Sequence, residues 1–211
     1  EAGVAALEAD EALVGTGGTI RNLAKVDLRR RSYPIGRLHA YEVTKQGIRR
    51  TARSLFNMSS TERAAVPGLN SSRADSIVAG ALAVDTVMQF VGAESLHVSG
   101  QGLREGAVRA LALEALPSAA AVRAASIQAL CAGFLRWNQP HADRRARLAT
   151  DLFDLLTPDA DPRLREALMH AAQVIDVGAT IDVYNRHERA ADIVLESDLQ
   201  GFTHAMLIAV A

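Results

Sequence analysis

The residues best placed to do chemistry are the glycines and hydroxyls of Leu13–Lys25, LVGTGGTIRNLAK. Gly15, Gly17 and Gly18 follow a short apolar run, and a helical pattern opens at Thr19. Glycine lets backbone N–H groups face a ligand with no side chain in the way. A helix start adds unpaired N–H donors and the positive end of the helix dipole. Strand, glycine turn and helix in this order suit an anion, usually a phosphate. The segment is no P-loop, because no Gly-Lys-Ser/Thr follows. It is no dinucleotide fingerprint either, because Ile20 stands where the third glycine is needed. A tight β-to-α turn without a ligand fits the same residues, so this segment alone leaves both readings open.

Ser95–Gly106, SLHVSGQGLREG, repeats the design. Leu96 and Val98 predict a strand, Gly100 and Gly102 a turn, and Leu103-Arg104-Glu105-Gly106 the start of a helix reaching about Ala115. Ligands gather at the carboxyl ends of parallel strands, so two such units can share one site. Between them lies Asn70-Ser71-Ser72-Arg73-Ala74-Asp75, ahead of an apolar helix predicted over Ser76–Val91. Ser71 or Ser72 is a suitable N-cap, and Asp75 suits a first turn. Arg73 does not, because a cation opposes the dipole there. Either an anion sits beside it, or Asp75 or Glu62 pairs with it.

The elements that must position these groups can be read in order. Residues 1–10 read as a helix, Ala12–Val14 as a strand and Thr19–Val26 as a helix. Arg29-Arg30-Arg31 and Pro34-Ile35-Gly36 read as a polar, broken connection. His39–Val43 reads as a short strand. Thr44 can cap a helix over Lys45–Phe56, in which Ile48, Ala52 and Leu55 separate from Arg49, Arg50 and Arg53. Asp85 falls within the apolar helix and reads as solvated. After Leu116-Pro117 only helices follow: Ser118–Trp137, Asp143–Leu156, Pro162–Val177, Glu188–Glu196 and Phe202–Ala211, some of them separated by Pro140, Pro158 and Pro162. A domain boundary is expected at about residue 117.

With 211 residues the chain can hold one large domain or two small ones. Apolar residues make up 49% and aromatics 4%, a pattern of helices packed through Ala, Leu and Val. A net charge of −1 gives no case for a nucleic-acid or membrane surface. Of 23 basic residues only Lys25 and Lys45 are lysines. The arginine forks suit phosphate, although codon usage explains the bias better. A single cysteine, Cys131, fits a reducing cytoplasm and lacks a nearby base. No signal peptide or bilayer-length apolar run is visible, and both ends read as cut.

Three motifs stand in a fixed order: Gly15-Thr16-Gly17-Gly18-Thr19-Ile20; Glu62-Arg63, Gly68-Leu69, Arg73-Ala74-Asp75 and Ala79-Gly80; and Val98-Ser99 with Gly102-Leu103-Arg104-Glu105-Gly106. Together they resemble the exopolyphosphatase/guanosine-pentaphosphate phosphatase (Ppx/GppA) family. His141, Leu152-Phe153-Asp154, Asp176-Val177-Gly178, His187 and Gly201-Phe202 resemble that family's C-terminal HD-like domain. The resemblance implies an α+β, mostly helical chain: residues 1–116 as the later part of a second ribonuclease H-like (actin-like ATPase) lobe, and residues 117–211 as an all-α HD-like domain truncated at its C-terminus. It implies a parent enzyme that hydrolyses a terminal phosphoanhydride of inorganic polyphosphate or pppGpp with Mg²⁺ and water. Gly15, Thr16, Gly17, Gly18, Thr19, Arg73, Arg104 and Glu105 would face phosphate or nucleotide, with Glu105 orienting Arg104 or an amide. A cytoplasmic homodimer is expected, with no nucleic-acid or membrane partner.

Departures from the family pattern set the other expectations. No Asp-x-Gly-Gly-Gly-Ser loop is present, and the family's catalytic glutamate belongs to sequence upstream of Glu1. No catalytic residue and no turnover are therefore expected of these residues alone. A metal-binding HD site needs adjacent His-Asp, but Ile175 precedes Asp176, so no metal is expected there, and His170, His187 and His204 read as packed or surface histidines. The alternative function is a non-catalytic module that binds phosphate or a polyanion and dimerises.

Overall fold

The computed structural model describes residues 5–8 and 11–211. They fall into two units, Glu1–Glu114 and Ala115–Ala211. In the first, β1 (Val14–Gly15), α1 (Gly18–Arg30), β2 (Glu42–Thr44), α2 (Lys45–Phe56), α3 (Ser60–Ala64), a 3-10 turn (Ser71–Arg73), α4 (Ile77–Phe90), β3 (Ser95–Val98) and α5 (Leu103–Ala112) follow in order. The sheet runs β1-β3-β2. β1 lies parallel to β3, with Val14 beside His97 and Gly15 beside Val98. β2 is antiparallel to β3, with Val43 beside Leu96.

Apolar faces close this unit. Leu23, Ala24 and Leu28 of α1, Ile48 and Leu55 of α2, Ile77, Ala81 and Met88 of α4, and Leu96 and Val98 of β3 form one buried cluster. Each fully buried Leu or Ile contributes roughly 1.5–3 kcal/mol. α2 forms as its sequence predicts, because the Thr44 side chain accepts from Gly47 N at 3.1 Å. Asp85 of α4 is half-buried and accepts from Arg49 Nε of α2 at 2.8 Å, so it is an ion-pair partner rather than a freely solvated carboxylate. A charged group also enters the core. Asp27 is 1% exposed. It accepts from the Tyr41 hydroxyl at 2.8 Å and pairs with Arg30 and, at 3.6 Å, with Arg31. Burial, then the Asp27 bond, pushes the Tyr41 hydroxyl well above its ordinary pKa.

The second unit contains α6 (Ala119–Ala132), α7 (Gln139–Leu156), α8 (Pro162–Val174), a 3-10 helix (Ile175–Thr180), α9 (Arg186–Glu196) and α10 (His204–Val210). Small buried residues such as Ala142, Ala146, Ala167 and Ala190 let these helices approach closely, around Ile127, Val177, Phe202 and Leu207. At Gly178 a Cβ would lie 1.9 Å from Arg186 O, so only hydrogen fits beneath α9. Arg123 grips Glu166 through Nε and Nη2, both at 2.8 Å, and reaches Gly201 O at 3.2 Å. Cys131 is buried, and burial pushes its thiol up to about 12, so it is inert at neutral pH.

Several boundaries differ from those read in the sequence. The helix expected over 1–10 lies outside the described residues at 1–4 and 9–10, and residues 5–8 are not helical. β1 is Val14–Gly15 rather than Ala12–Val14, and β2 is Glu42–Thr44 rather than His39–Val43. α1 continues to Arg30, so Arg29 and Arg30 are its last turn rather than part of a broken connection. Buried Asp27 and Leu28 keep that turn helical. Neither Ser71 nor Ser72 caps α4. Asn70 caps the preceding 3-10 turn, and Asp75 falls ahead of Ser76. α7 begins at Gln139 rather than Asp143, with Pro140 in its first turn, where a missing N–H costs nothing, and Pro162 opens α8 as read in the sequence. α6 ends at Ala132, and α8 ends at Val174 in the 3-10 segment.

Tyr41→Phe deletes one donor to a buried carboxylate. The variant is expected to unfold about 1–3 kcal/mol more easily in urea, with the fold unchanged by circular dichroism. An unchanged midpoint would show that the arginines alone satisfy Asp27.

Candidate functional site

The parallel pairing carries both glycine turns to the same end of the sheet. Ser99 N donates to Gly15 O at 2.8 Å, and His97 N to Leu13 O at 2.9 Å. One step further, the Thr16 hydroxyl donates to Gln101 O at 2.8 Å, which ties the two turns together. Gly15 is buried beneath them: a Cβ there would meet Ile20 Cγ2 at 2.9 Å and Leu96 Cδ1 at 3.0 Å. The two strand–turn–helix units read in the sequence therefore stand side by side.

Gly17 sits at φ 95°, a left-handed backbone that strains any other L-residue. It is the N-cap of α1 and offers no side-chain acceptor, and the first turn of α1 contains no acidic residue. Among the described residues the N–H groups of Gly18, Thr19 and Ile20 have no acceptor; the first amide of α1 to find one is Arg21 N, on Gly17 O at 3.1 Å. Three bare donors at a dipole's positive end make a cradle that can receive an anion.

Arg73 faces that cradle. A Cβ on Gly18 would lie 3.0 Å from Nη2 of Arg73 and 3.4 Å from its Cζ. The guanidinium thus lies against the one residue that leaves room for it. The ion pairs considered for Arg73 do not form. Glu62 closes a capping box on Ser59 instead, and Asp75 accepts from the Ser60 hydroxyl at 2.5 Å. Arg63 is structural, donating to Leu55 O at 2.7 Å and Ala74 O at 3.3 Å.

Two asparagines hold this arrangement, and the sequence did not single them out for it. Asn22 Nδ2 donates to Gly18 O at 2.8 Å, while Asn22 Oδ1 accepts from Asn70 N at 2.7 Å. Asn70 then accepts from Ser72 N at 3.1 Å, and Arg73 N donates to Asn70 O at 2.8 Å. The chain of bonds runs from the cradle to the arginine. Asn22 is one turn beyond Gly18 on α1, a spacing that could have marked it. Thr19 packs against α4 so tightly that a Cβ on Gly80 would come within 2.5 Å of its Cγ2.

Arg104 and Glu105 open α5 and are exposed. The Glu105 carboxylate accepts from Gly102 N at 2.8 Å. Backbone N–H bonds, its own first and then that of Gly102, hold this carboxyl below the usual carboxylate range; Arg104 and Arg21 act in the same sense. The Glu105 carboxylate thus caps the start of α5 through the Gly102 amide. Arg21, not singled out from sequence, is close enough to act on it. Mg²⁺ takes hard oxygen ligands. The oxygen groups at the two turns, the Thr16 hydroxyl and the Glu105 carboxylate, are engaged with Gln101 O and Gly102 N, and among the described residues no three His, Cys, Asp or Glu gather to hold a metal. The described residues do not fit that ion.

In the second unit Asp176 accepts from Arg145 Nη1 at 2.7 Å, with Arg186 Nη1 at 3.7 Å. His141 and His187 are exposed and His170 is buried, 5.4 Å from the Phe202 ring centre. His204 is buried as well. Arginines thus occupy the carboxylate that an HD site would give to a metal.

Residues 4–115 match the sequence model of the Ppx/GppA phosphatase family. The chain belongs to this family. Among solved structures, the Aquifex aeolicus Ppx/GppA family member is 28% identical over 51% of this chain and 36% of its own, with a TM-score of 0.45. An exopolyphosphatase from Cytophaga hutchinsonii ATCC 33406 is 25% identical over 47% of this chain and 33% of its own, with a TM-score of 0.44. The matched region thus spans about a third of the length of each.

Gly80→Val is expected to push Thr19 and the first turn of α1 away from α4, shifting the Gly18 and Thr19 amide resonances while β3 resonances stay put. Glu105 is expected to titrate below an ordinary glutamate in a carboxyl-carbon NMR titration. Its folded value is depressed, so the cap is intact above the unfolded-state pKa and weakens as pH falls through the folded value. Faster hydrogen exchange at Gly102 N, corrected for the intrinsic rate, would report that loss.

Proposed function

We propose that this chain supplies one wall of a phosphatase cleft that acts on a terminal phosphoanhydride, in inorganic polyphosphate or in pppGpp. The observation that carries the reading is the uncapped N-terminus of α1 with the Arg73 guanidinium lying against Gly18. The N–H groups of Gly18, Thr19 and Ile20 would take phosphate oxygens, Arg73 would clamp them, and Arg104 would add charge from the second turn. Phosphoryl transfer is largely positioning and charge neutralisation, and these groups provide both. Any Mg²⁺ of the whole enzyme would take its ligands from residues other than these. An acid to orient the attacking water is not among these residues, and no turnover is expected of them alone.

In this reading residues 1–116 are the later part of a ribonuclease H-like (actin-like) lobe and residues 117–211 an HD-like helical domain, in a cytoplasmic homodimer. The arginine-bound Asp176 favours a second reading for residues 117–211, a non-catalytic module for assembly or polyanion binding.

Polyphosphate binding by the 211-residue chain, followed by gel shift, tests the site. Arg73→Ala with Arg104→Ala is expected to weaken binding at least about tenfold, as loss of charged hydrogen bonds does, without changing the unfolding midpoint. Undiminished binding by the double variant would remove both arginines from the site. Competition by pppGpp against polyphosphate of matched phosphate content separates the two substrates.

A further inference from the structure

We propose a second anion site, at the far end of α1 from the glycine turns, for a compact anion carrying at least two linked phosphates. An open cavity of about 530 Å³ lies there, lined by Arg30, Arg31, Thr44, Gln46 and Arg50. α1 has 13 residues, which at ~1.5 Å per residue sets this cavity roughly 20 Å from Gly17 and Gly18. The proposal does not depend on the reading of the glycine turns.

Charge makes the case. Three arginines line the cavity in a chain whose net charge is −1. Arg30 and Arg31 share one carboxylate, that of Asp27, which the Tyr41 hydroxyl also engages. Arg31 is further steadied by Tyr41 Oη at 3.4 Å and by the Tyr33 ring at 5.8 Å. Arg50 is exposed, and among the described residues no carboxylate pairs with it. Glu42, on β2, is close enough to act on Tyr33. The arginines that line the cavity outnumber the carboxylate paired with them by two.

The first turn of α2 opens onto the same cavity through Thr44 and Gln46. It contains no acidic residue. Lys45 N is taken by Glu94 O at 2.8 Å and Gly47 N by the Thr44 hydroxyl at 3.1 Å. The N–H of Gln46 has no acceptor among the described residues. A helix dipole with one open amide, beside guanidinium forks in excess of their carboxylate, matches two or more negative charges held close together. A phosphoanhydride provides that along an extended anion, for which a cavity of about 530 Å³ has room, and a single carboxylate does not. The fold holds Arg30 and Arg31 in place through buried Asp27, so little ordering is needed when the anion arrives.

The test is calorimetric titration of the 211-residue chain with inorganic pyrophosphate, with amide NMR on the same sample. Pyrophosphate is expected to shift the Gln46 and Arg50 amides. Arg50→Ala should weaken binding about tenfold with no change in unfolding midpoint, and Arg50→Lys, which keeps the charge but not the fork, should fall between. Arg73→Ala with Arg104→Ala should leave this Arg50-dependent binding in place. If that pair abolishes all binding and Arg50→Ala changes nothing, this proposal falls while the glycine-turn reading stands. If only Arg50→Ala has an effect, the reverse holds. Orthophosphate binding as tightly as pyrophosphate would overturn the two-phosphate requirement. GDP binding as well as pyrophosphate assigns the site to nucleotide-borne anhydrides; GDP binding more weakly assigns it to inorganic chains.

Discussion

The candidate site depends on a parallel ladder only two residue pairs long. Val14 beside His97 and Gly15 beside Val98 set two strands pointing the same way, so the turns that follow emerge together. A one-residue slip would bury the wrong faces, since side chains alternate along a strand. The Ser99–Gly15 bond and the Thr16 hydroxyl on Gln101 O extend the register beyond the ladder into the turns themselves. Without that alignment, the open amides of α1 and the charges of α5 would have no common direction.

A second layer fixes distance rather than direction. Gly80 allows α4 to press on Thr19, and Gly18 leaves space for the Arg73 guanidinium. Both glycines matter here for what they lack. The absence of a Cβ sets how near a helix or an arginine can come to the three open amides. Family membership is consistent with this, since the residues matched to the family model run through all three motifs.

The strand–glycine–helix units were legible in the sequence, because glycine spacing and a switch of apolar period are local signals. The helix from Lys45 to Phe56 was legible for the same reason, through Thr44 as its cap. Arg73 was legible only as a conflict, a cation where an anion belongs. Whether Asp75 or Glu62 answered it depended on Ser59 and Ser60, residues 14 and 13 positions away, which draw those carboxylates aside. The Asn22–Asn70 bond spans 48 residues and leaves no local pattern. The end of α1 was misplaced because three successive arginines look like a connection. The buried Asp27 that makes them a helix terminus is a tertiary fact. The arginine clasp on Asp176 is hidden likewise, since Arg145 lies 31 residues before it.

Asn22 has a narrower chemistry than its surroundings suggest. Its amide gives a hydrogen to Gly18 O and takes one from Asn70 N, so one planar group faces a carbonyl and an N–H at once. Aspartate has the same shape but offers only acceptors when ionised, a hydroxyl lacks the reach between the two partners, and glutamine is a carbon too long. Hydrolysis of this single amide would leave the outline of the protein intact. It would turn an attraction at Gly18 O into a repulsion and place a negative charge beside the donors meant for an anion. If the α1 amides receive phosphate as proposed, slow hydrolysis of this one half-buried side chain would turn the proposed phosphate site into a surface that repels phosphate.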